Sequence, residues 1–317
     1  MKIMQAFQWK GVFPALLTPF TKDDTIDFDL FKISLQAQID AGVDGIILGG
    51  SLGEASTLTN EEKKELFNCA KQYLPEGFPI IINIAEQTTK TAVALAGDAE
   101  KYGADGLMLL PPMRYSSDDH ETLEFFKSVS HNTALPIMLY NNPVDYKTFI
   151  SLDMLEDLAA IKNIQAIKES TRDVTNITRI FNRFGNRYSV FTGVDPLAME
   201  SLCMGADGWV AGLVDAFPKE TVAIYRLVKA NRIAEALTIY RWFMPLLELD
   251  IHPKLVQYIK LAATATGIGS EYVRAPRLVL RGEEKQRIQK VIDDALSCRP
   301  ALPDYLNIKI NRDSELV

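Results

Sequence analysis

Short apolar runs alternate with longer segments in which apolar residues recur every three or four positions, and the alternation persists to about residue 230. A strand-length run followed by a helical period, repeated, predicts strand-helix units feeding a parallel sheet. Eight runs stand out, over residues 12–18, 45–49, 80–85, 106–110, 136–141, 164–168, 188–193 and 208–213. Between them, residues 27–41, 60–73, 88–102 and 118–130 carry helical periodicity. Eight units predict an α/β fold closed into a (β/α)8 TIM barrel. Beyond residue 230 the strand runs stop. Helical periods over 233–249, 253–266 and 283–296 predict a C-terminal helical extension, so the chain divides into a barrel domain over 1–230 and a helical region over 231–317. Residues 299–317 read as loosely structured.

An internal repeat supports the unit count. Ala41-Gly42-Val43-Asp44-Gly45, Tyr102-Gly103-Ala104-Asp105-Gly106 and Met204-Gly205-Ala206-Asp207-Gly208 each sit where a helix hands over to a strand. The first glycine suits a left-handed helix terminus and the Asp-Gly pair a tight turn. Because the repeat precedes the strands, its expected role is architectural.

Composition narrows the partners. The chain has 317 residues, 47% of them hydrophobic, with 34 Lys plus Arg against 41 Asp plus Glu and a net charge of -7. With no dominant basic stretch, neither nucleic acid nor an anionic membrane is expected as a partner. No segment reaches the length of a membrane span, and residues 1–10 lack the apolar core of a signal peptide. Cys69, Cys203 and Cys298 are scattered and unpaired in spacing, which fits a reducing, cytoplasmic setting.

In a barrel of this kind the site is built where strands end. The sixth run ends on Lys168, followed by Glu169-Ser170-Thr171. A lysine at the carboxyl end of a buried strand loses hydration, which disfavours the ammonium, and the neutral amine can attack a carbonyl to form a Schiff base. Lysines in such places more often simply lay their stems along apolar surface; the neighbouring strand ends tip the balance. Gly50-Ser51-Leu52-Gly53 offers backbone N-H groups and a hydroxyl that can hold a carboxylate. It lacks both a dinucleotide fingerprint and the lysine of a phosphate loop. Tyr140, ending the fifth run, can relay the protons that Schiff-base steps require. His120, His131 and His252 lack ligand spacing, so no metal is expected. By strand alternation the Trp209 ring should face the helices.

Taken in order, Phe13 through Phe20, Gly50-Ser51-Leu52-Gly53-Glu54, Leu139-Tyr140-Asn141-Asn142-Pro143, Ile167-Lys168-Glu169-Ser170 and Gly193-Val194-Asp195 resemble the dihydrodipicolinate synthase and N-acetylneuraminate lyase family. The resemblance implies a barrel with C-terminal helices, assembled as a homotetramer from two dimers. It implies no cofactor, Lys168 as the Schiff-base lysine and Tyr140 as the proton-relaying phenol. Ser51 and the amides around Gly50 would hold the carboxylate of a small 2-oxo acid or cyclic imine carboxylate, with Gly193 and Val210 lining the pocket. Glu54 would hold the loop.

Departures from the family pattern bear on the substrate. Leu52 stands where the family carries a second hydroxyl residue. Arg114, or by a shift of one Tyr115, stands at the place of a tyrosine lent by a neighbouring subunit. Asp145 corresponds to an arginine that binds the carboxylate of aspartate semialdehyde, and a carboxylate there opposes that substrate. Val210-Ala211-Gly212-Leu213 lacks the polar residues of sialic acid cleavage and suits a compact substrate. The stretches 139–146, 252–260 and 273–278 resemble the branch that deaminates 1-pyrroline-4-hydroxy-2-carboxylate to 2,5-dioxopentanoate in bacterial hydroxyproline breakdown. Asp145 would then contact the substrate hydroxyl or ring nitrogen. Other readings are a 4-hydroxy-tetrahydrodipicolinate synthase, a pyruvate-dependent aldolase, a sugar-acid dehydratase, or a barrel that senses a 2-oxo acid without turning it over.

Overall fold

A computed structural model describes residues 8–113 and 115–310. Eight strands, β1 (Gly11–Pro14), β2 (Ile46–Leu48), β3 (Ile80–Ile84), β4 (Gly106–Leu109), β5 (Ile137–Asn141), β6 (Ile164–Glu169), β7 (Ser189–Thr192) and β8 (Gly208–Ala211), form one sheet. All neighbours pair in parallel, in the order β1-β8-β7-β6-β5-β4-β3-β2. A parallel bridge from Ala15 to Ile47, with Leu16 N donating to Ile47 O at 3.0 Å, joins β1 to β2 and closes the barrel. The first strand is shorter than its apolar run, because beyond Ala15 the chain turns away to Thr18-Pro19 and Thr18 Oγ1 bonds Gly53 O instead of a ladder partner.

The helices between strands are α1 (Phe28–Ala41), α2 (Asn60–Tyr73), α3 (Thr89–Tyr102), α4 (Asp119–Ser130), the single turn α5 (Pro143–Tyr146), α6 (Leu152–Leu158), α7 (Thr175–Phe184) and α8 (Ala198–Cys203). Asp27, Thr88 and Asp118, at the predicted helix starts, are N-caps whose side chains accept backbone N-H bonds. At Thr59 and Asp118 a glutamate three residues on completes a capping box.

The repeated Asp-Gly pair does more than turn the chain. Asp44, Asp105 and Asp207 accept the N-H groups of Val12, Ile80 and Val190 at 2.9, 2.9 and 2.8 Å, so each caps the strand beside the one it precedes. The glycine before each aspartate has a left-handed φ, of 81° at Gly42, 82° at Gly103 and 107° at Gly205. Gly45 and Gly208 make room for aromatic rings: a Cβ there would lie 2.3 Å from Phe13 and 2.2 Å from Phe191. Those rings meet edge to face at 5.5 Å, and Trp9 stands at 6.3 Å from Phe191, plugging the barrel where its strands begin. Space for a substrate is left at the opposite end.

After β8 come α9 (Pro218–Lys229), α10 (Ile233–Leu247), α11 (Leu255–Ala265) and α12 (Gly282–Ser297). The helical extension shares its buried side chains with the barrel, and a tight 3-10 turn over Glu248–Ile251 carries the chain from α10 back over the strand ends. The segment 299–310 is docked rather than loose: Arg299 forks onto the buried Glu220, Tyr305 is buried and Arg226 bonds Leu306 O. The rest of that stretch, 311–317, and residues 1–7 lie outside the described residues. Among the described residues, no helix is long and apolar enough to cross a membrane.

Candidate active site

Strand pairing puts Tyr140 of β5 opposite Lys168 of β6. The lysine is 6% exposed, and its Nζ lies 4.0 Å from the centre of the Tyr140 ring. Alternation turns the next residue outward: Glu169 accepts from Thr171 N, Asn176 Nδ2 and Asn141 Nδ2 and leaves the mouth to Lys168. Burial lowers the lysine's pKa, opposed by the nearby Tyr146, Asp250, Asp195 and Asp145. Burial likewise pushes the Tyr140 phenol up to about 12, against the N-H that Asn142 Nδ2 donates to its oxygen at 3.2 Å. The pair therefore combines an amine biased toward its neutral form with a phenol that keeps its proton.

Room for the lysine comes from the residue that follows β7. A Cβ on Gly193 would lie 2.2 Å from Ser170 Oγ and 2.4 Å from Lys168 Cε, closer than real side chains approach. Gly193 thus admits the lysine stem as well as lining the pocket.

Lys168, Tyr140, Gly50, Ser51, Leu52, Asp145, Gly193 and Val210, all singled out from the sequence, line one cavity of about 90 Å³. Leu52 is buried and presents no hydroxyl. Asp145 Oδ2 accepts from Asn142 Nδ2 at 2.7 Å, and Asn142 Nδ2 also reaches Tyr140, so the three side chains are linked. A second cavity, of about 150 Å³ and lined by Leu48, Phe67 and Tyr102, contains none of these groups.

Several placements differ from expectation or add to it. Arg114 lies outside the described residues, and Tyr115 is exposed and not among the cavity's lining residues. The hydroxyl that Leu52 lacks has a counterpart in Tyr146, whose Oη is 2.6 Å from Ser51 Oγ and whose ring meets Tyr140 edge to face at 5.5 Å. Pro143 at the first position of α5 starts the turn that brings Tyr146 there. Glu54 pairs with Lys260 Nζ of α11 at 2.6 Å and accepts from Arg274 N at 3.1 Å, tying the Ser51 loop to the extension. Trp209 is absent from the cavity lining, and its Nε1 donates to Asp195 Oδ1 at 2.9 Å.

Asp195 also accepts from Gly212 N and Leu213 N, which fixes the end of β8. Asp250, from the 3-10 turn of the extension, lines the same cavity as Lys168. Sequence reasoning centred on strand ends passes over it. His252 stacks on Tyr258 at 4.5 Å and accepts from Lys254 N. Among the described residues, no group of three or more His, Cys, Asp or Glu could hold a metal ion.

A lysine amine, a protonated phenol and a hydroxyl-bearing loop of backbone amides at one barrel mouth can add to a carbonyl or imine beside a carboxylate. Known proteins share this chain's shape and much of its length. The chain is 30% identical over 284 residues to the 4-hydroxy-tetrahydrodipicolinate synthase of Oceanobacillus iheyensis, covering 89% of this chain and 96% of that one. It is 32% identical over 275 residues to the synthase of the same name from Exiguobacterium sibiricum, covering 86% and 92%. Crystal structures of dihydrodipicolinate synthases from Aquifex aeolicus and Bacillus anthracis superpose with TM-scores of 0.85 and 0.86 at 27% and 28% identity, each covering 90% of this chain and 98% of the other. These names are those of synthases and not of the deaminase branch. The Dihydrodipicolinate synthetase family model matches residues 8–295, which takes in the whole barrel and most of the extension, and the chain belongs to that family.

Proposed function

We propose that this protein is a lysine Schiff-base enzyme acting on a small 2-oxo acid or cyclic imine carboxylate, with Lys168 as nucleophile and Tyr140 as proton carrier. The observation that carries the reading is the buried amine set over the buried phenol inside the cavity. Enzymes of this family use a covalent lysine Schiff base with pyruvate rather than a cofactor. The substrate carboxylate sits on the amides around Gly50 and on Ser51. Lys168 attacks the adjacent carbon, and Tyr140, with Tyr146 and Ser51 beside it, moves protons between the adduct and solvent. The assembly is read as a homotetramer in the cytoplasm.

Two substrates compete. The relatives' names favour 4-hydroxy-tetrahydrodipicolinate synthesis. The cavity favours the deamination of 1-pyrroline-4-hydroxy-2-carboxylate to 2,5-dioxopentanoate and ammonia, because Asp145 lines it and would repel the carboxylate of aspartate semialdehyde. In the deamination, Lys168 adds to the ring imine carbon and the bond from that carbon to the ring nitrogen breaks, leaving a lysine-bound imine and a free primary amine at the other end. The imine makes the neighbouring C-H acidic, and its proton and the 4-hydroxyl leave as water. The new double bond shifts to make the terminal amine an imine, one water hydrolyses that imine to an aldehyde and ammonia, and a second hydrolyses the lysine adduct to release the product. Incubating the protein with each substrate set decides between them. Ammonia appearing from the pyrroline supports the deaminase; condensation of pyruvate with aspartate semialdehyde and no ammonia replaces it with the synthase.

A further inference from the structure

We propose that Asp250 is the acid that protonates the oxygen leaving the Lys168 adduct. The inference rests on Lys168 forming that adduct. Its starting observation is the contrast between two neighbouring carboxyl groups. Asp195 accepts from Trp209 Nε1, Gly212 N and Leu213 N, and these N-H groups on several sides oppose the burial that raises its pKa. Asp250 has one long contact, Asp195 N to its Oδ2 at 3.5 Å, and otherwise opens to the cavity.

The fold makes space for this side chain. A Cβ on Gly212 would lie 2.4 Å from Asp250 Oδ1, so the end of β8 is bare where the carboxyl passes. Leu249, just before it, is buried and Ile251, just after it, is 40% exposed, which anchors the turn with Asp250 directed at the mouth.

The groups around Asp250 favour its neutral form. Asp195 after β7 and Asp145 on α5 bring negative charge, while Tyr140 and Asp215 after β8, whose own pKa burial raises well above the carboxyl range, are neutral. Lys168 on β6 opposes them, and Arg172, from the loop after β6, lines the same cavity. Burial first and Asp195 second raise the Asp250 pKa well above the carboxyl range. Environments that hold one carboxylate charged and leave its neighbour protonated separate a structural anion from a usable acid.

When the Lys168 amine adds to a 2-oxo acid, a carbinolamine results. The Asp250 O-H gives its proton to the carbinolamine hydroxyl, the C-O bond breaks, and the nitrogen lone pair closes the C=N bond. One water leaves, and the new iminium cation stands near the new Asp250 carboxylate. In product release the same steps run backwards, with Asp250 taking a proton from water. Asp250 therefore serves both substrate readings, in forming the pyruvate adduct of the synthase and in hydrolysing the lysine adduct of the deaminase.

The test uses the full-length protein and pyruvate, with rapid quenching by borohydride to time the appearance of the reduced adduct. Asp250→Asn should slow adduct formation at least tenfold and abolish the alkaline decline in its pH profile. Asp250→Glu should restore part of the rate. Gly212→Ala, which pushes a methyl group into the carboxyl without changing its charge, should also slow it, and decides the matter if Asp250→Asn does not fold. Adduct formation at the wild-type rate in these variants overturns the role of Asp250 and leaves Lys168 untouched. Absence of any adduct in the wild-type protein overturns both.

Discussion

Lys168 Nζ stands 4.0 Å over the ring of Tyr140, its partner across the β5–β6 ladder. Because both sit at the ends of rigid paired strands, their spacing is set by the barrel and not by a loop. The phenol oxygen carries a hydrogen bond from Asn142, which orients it beside the amine. Tyr140→Phe should keep the packing and lose the proton relay. Turnover is expected to fall by about 10²- to 10⁴-fold, the usual contribution of a positioned acid or base. Steady-state kinetics check this, and a fall of less than threefold would remove Tyr140 from the mechanism.

The pH dependence follows from the same pair. Burial lowers the pKa of Lys168 from its ordinary 10.5, so the reactive neutral amine is present at lower pH than for a free lysine. Activity should rise with pH through the folded pKa of Lys168, with the midpoint of that rise below 10.5. Tyr140 keeps its proton until about 12, so an alkaline decline below that belongs to Asp250 and not to the phenol. A profile of kcat/KM against pH checks both limbs; an acid limb centred at 10.5 or above contradicts the burial argument.

Gly193→Ala would bring a methyl group against Ser170 Oγ and Lys168 Cε. Displacing the lysine by a fraction of an ångström should cost on the order of 10²-fold in kcat/KM, because reacting groups are sensitive to misplacement on that scale. The melting temperature should change little by comparison. Kinetics and thermal melting measured together separate this from a general loss of folding.

Much of this site is legible in the sequence because its parts close apolar runs. Lys168 and Tyr140 each end a strand, and the Ser51 loop follows one, so a count of strands places all three at one mouth. What escapes is what arrives over long chain separations. Asp250 comes from beyond the barrel strands, and nothing in Leu249-Asp250-Ile251 alone announces a carboxyl over Gly212. Tyr146 depends on a single helical turn whose direction is set by Pro143. The repeated Asp-Gly pairs read as turns, since their bonds to Val12, Ile80 and Val190 appear only when neighbouring strands are in register. Residues 299–310 look loose because the partners that dock them, Glu220 and Arg226, lie on α9.

The buried ion pair between Glu54 and Lys260 ties the substrate loop to α11, and both residues are almost fully shielded from water. Glu54→Gln leaves a buried ammonium with weaker compensation. Removing one partner of such a pair costs about 3–5 kcal/mol. Chemical denaturation should show a loss of that order, and replacing both residues by apolar ones of similar size should recover part of it. An unchanged midpoint for Glu54→Gln would show that the loop does not depend on the pair.

The Schiff base itself is tested most directly by reducing the protein with borohydride in the presence of pyruvate and mapping the adduct by mass spectrometry. The account predicts a single added mass on the peptide that carries Lys168, lost in Lys168→Arg. No added mass, or one on another lysine such as Lys260, would contradict it.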